Sequence, residues 1–274
     1  MRALVPLRHA LTLAIFLAAV IALGGAASAA DDLYQAQAIV TGEGEAERAR
    51  GFALCLDAVM VKVSGDPRLA GDPAVAALQA EAAGFVVSFD YRDRMKGIPV
   101  HDEQGTRDRP FDLTVAFDPP KIDAALRSLG RAPWPEPRPR LAVLLDVRDA
   151  TAAYVLAEDG ERGLGQRQAL AAAAAKRGIA VRLPSTALLA AGRVTYGGLA
   201  AAPASRLRDL ARASGGDAML TGTLVWTEAV LGWTARWHLS WAGREHRWHI
   251  SGVSFDDAFR DAIDRAVAVL SGHG

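Results

Sequence analysis

The most concentrated chemistry in this 274-residue chain is a run of tryptophans and histidines near its end. Trp233, Ala235, Trp237, Leu239 and Trp241 alternate with Thr234, Arg236, His238 and Ser240. A period of two places the two sets on opposite faces of a strand. With Gly243-Arg244 as a two-residue turn, the spacing predicts a hairpin. In that register Trp241 faces His246, Leu239 faces Trp248 and Trp237 faces Ile250. On the other face His238 meets His249, and Ser240 meets Arg247. Two functions suit this pattern. His238 and His249 could be metal ligands, although two histidines with no evident third ligand are fewer than a zinc site needs. Trp233, Trp237 and Trp241 could instead form a platform for a ligand. The plainer alternative makes the indoles the inner face of the sheet, because buried aromatics dominate core energetics.

A second candidate is the segment from His101 to Pro110, which carries Asp102, Glu103, Arg107, Asp108 and Arg109. It lies between two expected strands. Its carboxylates fit no calcium-loop spacing. Surface ion pairs return only about 0–1 kcal/mol each, so stability is a poor reason for so dense a cluster. Contact with a protein partner is the functional expectation, and a solvated hairpin connection is the alternative.

Elsewhere familiar chemistry is lacking. Gly163-Leu-Gly-Gln-Arg-Gln has no third glycine, and no Gly-Lys-Ser or Gly-Lys-Thr occurs. There is no Gly-x-Ser-x-Gly and no His-Glu-x-x-His. No cofactor is therefore expected. Cys55 is the sole cysteine, so no internal disulfide can form. Within Phe52-Ala-Leu-Cys-Leu it reads as a small buried hydrophobe.

The elements that must position these residues follow from patterning. Alternation over Tyr34 to Val40 predicts a strand, and residues 45–64 predict an amphipathic helix closed by Gly65. A second helix is expected over residues 73–83, then strands at 85–91 and 111–117. Asp118-Pro119-Pro120 opens a further helix ending near Gly130. Residues 131–139 hold four prolines, which exclude helix and central strand and read as a stiff linker. Beyond it come strands at 141–147, 154–157 and 179–183, with an alanine-rich helix over 166–177. A helix over 205–213 precedes three strands (218–226, 233–241, 245–251). The closing helix is capped by Ser254, with Phe255, Phe259, Ile263, Val267 and Leu270 on its inner stripe. The fold class expected is α/β (α+β), as two small mixed-sheet domains. The domains are 30–130 and 140–274, joined by 131–139.

The amino terminus supplies an address. Arg2 and Arg8 precede an apolar run from Ala10 to Leu23, followed by Ala27-Ser28-Ala29. A positive start, a short apolar stretch and a small-x-small tail form a secretory signal peptide pattern. The run is too short to span a bilayer, which needs roughly twenty residues. Cleavage is expected after Ala29, giving a periplasmic chain with no integral membrane span. Removing Arg2 and Arg8 leaves 29 basic residues (31 minus 2) against 31 acidic ones. That balance provides no broad basic field for nucleic acid or anionic lipid.

Several segments also resemble a known family. They are Tyr34 to Val40, Val63-Ser-Gly-Asp-Pro67, Phe111 to Asp118, Ile122-Asp123, Leu126, Trp134, Arg138-Pro139, Lys176 to Pro184 and Asp217 to Thr223. Together they resemble DUF2066, an uncharacterised family of exported bacterial proteins. The second half, through Gly216-Asp-Ala-Met-Leu-Thr-Gly222 and the following hairpin, is similar to the TolB amino-terminal domain type. These resemblances imply an envelope location and supply no catalytic residues. The expectation is a non-enzymatic binding or scaffolding component with an envelope protein partner, against the alternative of a metal-assisted hydrolase.

Overall fold

The computed structural model describes residues 33–97 and 109–274. The signal-peptide segment lies outside the described residues, as do Asp102, Glu103, Arg107 and Asp108. The chain forms two compact units, and the α+β expectation holds for it. The first comprises the described residues up to Val59 together with Gln79–Ile122, and the second comprises Met60–Leu78 together with Asp123–Gly274.

The first unit is built on three antiparallel strands, β1 (Gln35–Thr41), β2 (Val86–Asp93) and β3 (Pro110–Phe117), in the order β1-β3-β2. Helix α1 (Glu45–Ser64) starts with Glu45 and Glu47, which suit the positive end of its dipole. It packs closely on this sheet. A Cβ on Gly51 would stand 2.4 Å from the Leu113 side chain and 2.8 Å from that of Val40. Phe52 meets Phe89 edge to face at 5.2 Å. Cys55 is fully buried, and burial pushes its thiol up to about 12, far from reactivity at neutral pH. Helix α2 (Pro73–Gln79), which up to Leu78 belongs to the second unit, begins at a proline, and its expected continuation to residue 83 is broken before a 3-10 turn at Ala82–Phe85. Helix α3 (Pro119–Ser128) starts at the predicted prolines and from Asp123 onward belongs to the second unit.

The second unit holds the mixed sheet. Its path is β5 (Ala153–Val155), β4 (Leu141–Arg148), β7 (Ala218–Thr227), β8 (Gly232–Trp241) and β9 (Arg244–Val253). The short β6 (Val181–Arg182) pairs with the start of β4. β4 and β7 run parallel, and β7, β8 and β9 form an antiparallel meander. On one face lie α4 (Leu164–Lys176) and α8 (Phe255–Leu270), around Val143, Leu145, Leu220, Ala235, Trp237, Phe259 and Ile263. Ser254 caps α8 by accepting from the Asp257 amide, as its sequence predicts.

The opposite face is covered by α5 (Thr186–Ala191), α6 (Gly198–Ala201) and α7 (Ala204–Ala213). This layer packs Leu189, Leu199 and Leu210 on Ala142, Leu144 and Met219, residues of β4 and β7. β4 is therefore buried on both faces, which is why it reads as a continuous apolar run. Sequence periodicity did not reveal α5 and α6, because each is too short to repeat an apolar stripe. The one available signal for α5 was Ser185 after Pro184, and its hydroxyl does cap the Leu188 amide.

The proline segment packs within the second unit. Trp134 is buried in its core, and its amide donates to the Val63 carbonyl. The Arg138 guanidinium donates to the carbonyls of Lys62, Val63, Arg177 and Gly178, and it lies 4.5 Å from the Trp134 ring centroid. Among the described residues no helix is long and apolar enough to cross a membrane.

The expected hairpin register needs correction. The turn is Ala242-Gly243, not Gly243-Arg244, and both of its residues have positive φ, as a type I′ turn requires. Glycine sits at the second central position, and alanine at the first gave no signal. Trp241 therefore pairs with Arg244, Leu239 with His246 and Trp237 with Trp248, while Ser240 pairs with Glu245. His238 stands opposite Arg247, not His249, which pairs with Arg236. Each partner moves by two residues, so the side chains keep their faces.

Candidate functional site

Where the helical cover over β4 and β7 gives way to the polar face of β8 and β9, the second unit has a cavity of about 390 Å³. Its walls include Asp146, Leu199, Ala200, Thr221, Thr223, Arg236, His238, Arg247 and His249. Strand pairing explains how residues so far apart in sequence meet. Asp146 pairs with Thr223, Thr223 with Arg236 and Arg236 with His249, forming one row across four strands. The neighbouring row is Leu144, Thr221, His238 and Arg247. Residues paired across strands point to the same face, so both rows line one surface.

Asp146 is the polar anchor. It is 2% exposed, in a strand whose neighbouring residues are fully buried. One carboxyl oxygen, Oδ2, accepts from the Gly197 amide at 3.2 Å, and the other, Oδ1, is buried with no partner among the described residues. Burial raises its pKa above the ordinary carboxylate range, and the Gly197 bond offsets only part of that. Gly197 adopts a left-handed backbone at the entry to α6, which aims its N–H at the carboxylate.

The far end of each row is basic. Arg236 stands opposite His249, and His238 opposite Arg247. Among the described residues the one counter-charge that contacts this group is Glu245, whose carboxylate meets His238 Nε2 and accepts from the Ser240 hydroxyl at 2.9 Å. The side chains of Arg236, Arg247 and His249 form no ion pair among the described residues. Arg236, Arg247 and His249 are exposed, and His238 is half-buried.

The residues singled out by sequence fall as follows. His238 and His249 share this face, diagonally placed on adjacent strands. Among the described residues no group of three or more His, Cys, Asp or Glu side chains could hold a metal ion. Trp233 and Trp237 lie in the core beneath α8, with Trp233 meeting Phe255 and Trp237 meeting Phe259, each at 6.2 Å. Trp241 is partly buried against the same core. Of the five charged residues singled out in that segment, Arg109 alone is described. Its guanidinium pairs with Asp93 at 3.2 Å and donates to the Met95 carbonyl.

Sequence reasoning missed Asp146, Arg236 and Arg247. A signal for Asp146 was present, because an ionisable residue interrupts the otherwise apolar run Leu141-Ala-Val-Leu-Leu-Asp-Val. Its meeting with the two arginines is a property of sheet order, which no local pattern carries.

Residues 27–135 match the model of a family described as a domain of unknown function (DUF8605). This corrects the resemblance to DUF2066, since the matched family is a different one and equally without an assigned activity. The match ends before the second unit's sheet and gives no support to the TolB likeness. No curated protein matches the chain.

Proposed function

We propose that this chain is an exported, non-enzymatic binding component of the cell envelope, and that the cavity of its second unit takes a small ligand bearing an anionic group. The observation that carries the binding role is the unpartnered, buried Oδ1 of Asp146 on the same cavity as the unpaired Arg236 and Arg247. The buried oxygen is costly to a fold that binds nothing, whereas Arg236 and Arg247 are exposed. An acceptor buried without a partner costs about 1–3 kcal/mol. The volume lies within the range of small-molecule sites, about 300–1,000 Å³. Export is supported by Arg2, Arg8, the apolar run to Leu23 and the small residues at 27–29.

Native mass spectrometry of the protein recovered from the periplasmic fraction tests both halves at once. The expected chain starts at Ala30 or Asp31 and carries a small molecule that the Arg236→Gln, Arg247→Gln variant lacks. A chain that keeps its first residues and stays in the membrane overturns export. Identical masses for wild type and variant, with no ligand on either, overturn binding.

A further inference from the structure

The two ends of the cavity make opposite demands, and together they describe a ligand. At β4, Asp146 Oδ1 is an acceptor that lacks a donor. At β8 and β9, Arg236 and Arg247 line the cavity with exposed guanidinium donors that an anionic group could engage. An inorganic anion would answer the second demand and leave the first unmet. A simple amine would do the reverse, and the basic rows would repel it. A molecule with a donor at one end and a carboxylate at the other answers both.

The distance between the ends follows from the sheet. Asp146 and Arg236 lie in one row two strand spacings apart, with Thr223 between them. Neighbouring strands lie about 4.8 Å apart, so the two backbones are separated by roughly 10 Å. An extended peptide covers at most about 3.3–3.6 Å per residue, so two or three residues bridge that gap. The middle of the path suits peptide groups. The Thr223 hydroxyl can donate to a carbonyl or accept from an N–H. Leu199 and Ala200 form an apolar wall suited to small aliphatic side chains.

We infer that the cavity binds a short peptide with free termini, its ammonium group on Asp146 and its carboxylate on Arg236 and Arg247. This deepens the binding role proposed above and rests on it. An ammonium supplies the donor that Oδ1 lacks, and a carboxylate accepts the forked guanidinium donors in the geometry they favour.

Isothermal titration calorimetry of the whole mature chain tests this with trialanine, N-acetyl-trialanine, trialanine amide and propionate. Trialanine should bind, and each blocked form should bind at least tenfold more weakly. Asp146→Asn should abolish discrimination against the acetylated form alone. Arg236→Gln with Arg247→Gln should abolish discrimination against the amide alone. Thermal melts of each variant separate lost binding from lost folding. If propionate binds as well as trialanine, or the blocked peptides bind equally, the peptide inference is wrong while the cavity remains an anion site. If neither trialanine nor propionate binds, and the same chain carries no small molecule on isolation, the binding role itself falls.

Discussion

Asp146 sits between Leu145 and Val147, both fully buried, and one of its carboxyl oxygens has no partner among the described residues. Its pKa is raised by burial. An acid whose folded pKa exceeds its unfolded value holds its proton more tightly in the fold. Its contribution to stability is full below the unfolded value and is lost as pH rises through the folded value. Asn has nearly the same shape and cannot ionise. Asp146→Asn should therefore melt above wild type near pH 7–8, because it removes a charge that burial disfavours. The gap should close as the pH falls toward about 4. Thermal melts across that range decide it, and a variant less stable than wild type at pH 7 would mean that the carboxylate is satisfied by its surroundings. A gain in stability with a loss of binding is the pattern expected of a residue retained for function.

At the scale of elements, the β8–β9 hairpin holds the basic rows in place through its other face. Trp237 lies over Gly222 of the adjacent β7. A Cβ at 222 would stand 2.4 Å from the indole, so the position takes no larger residue without displacing the ring. Gly222→Ala should cost about 1–3 kcal/mol by overpacking. Trp237→Ala should cost about 3–5 kcal/mol by emptying the core beneath Phe259. The two changes act on one contact, so the double variant should cost clearly less than their sum. Denaturant unfolding of the four proteins measures this, and additive costs would show that the glycine and the indole are independent.

At the scale of the molecule, the proline segment carries more than a connection. Trp134 belongs to the core of the second unit, and Arg138 ties the end of α1 to the loop after α4. A fragment beginning at residue 131 should therefore melt higher than one beginning at 140, which loses the Trp134 ring and the Arg138 bonds to the Arg177 and Gly178 carbonyls. We propose comparing the two by circular dichroism. Equal melting temperatures would show that the segment is only a tether.

Sequence by itself determined what depends on near neighbours. The spacing of apolar residues, the Ser254 cap and the Pro119 start marked α1, α3 and α8 close to their ends. Period-two alternation placed the indoles and the histidines on opposite faces, and those faces survived a register that was wrong by one turn position. The turn itself was misread because Ala242 adopts a left-handed backbone that only its setting enforces. Tertiary structure alone decided which strands adjoin. Because β7 lies between β4 and β8, Asp146 shares a row with Arg236, ninety positions later in the chain. Such pairings are fixed by burial of whole sheet faces against helices, a nonlocal balance that no short window of sequence contains. The candidate site is built from those pairings, so its residues were each present in the sequence while the site was not.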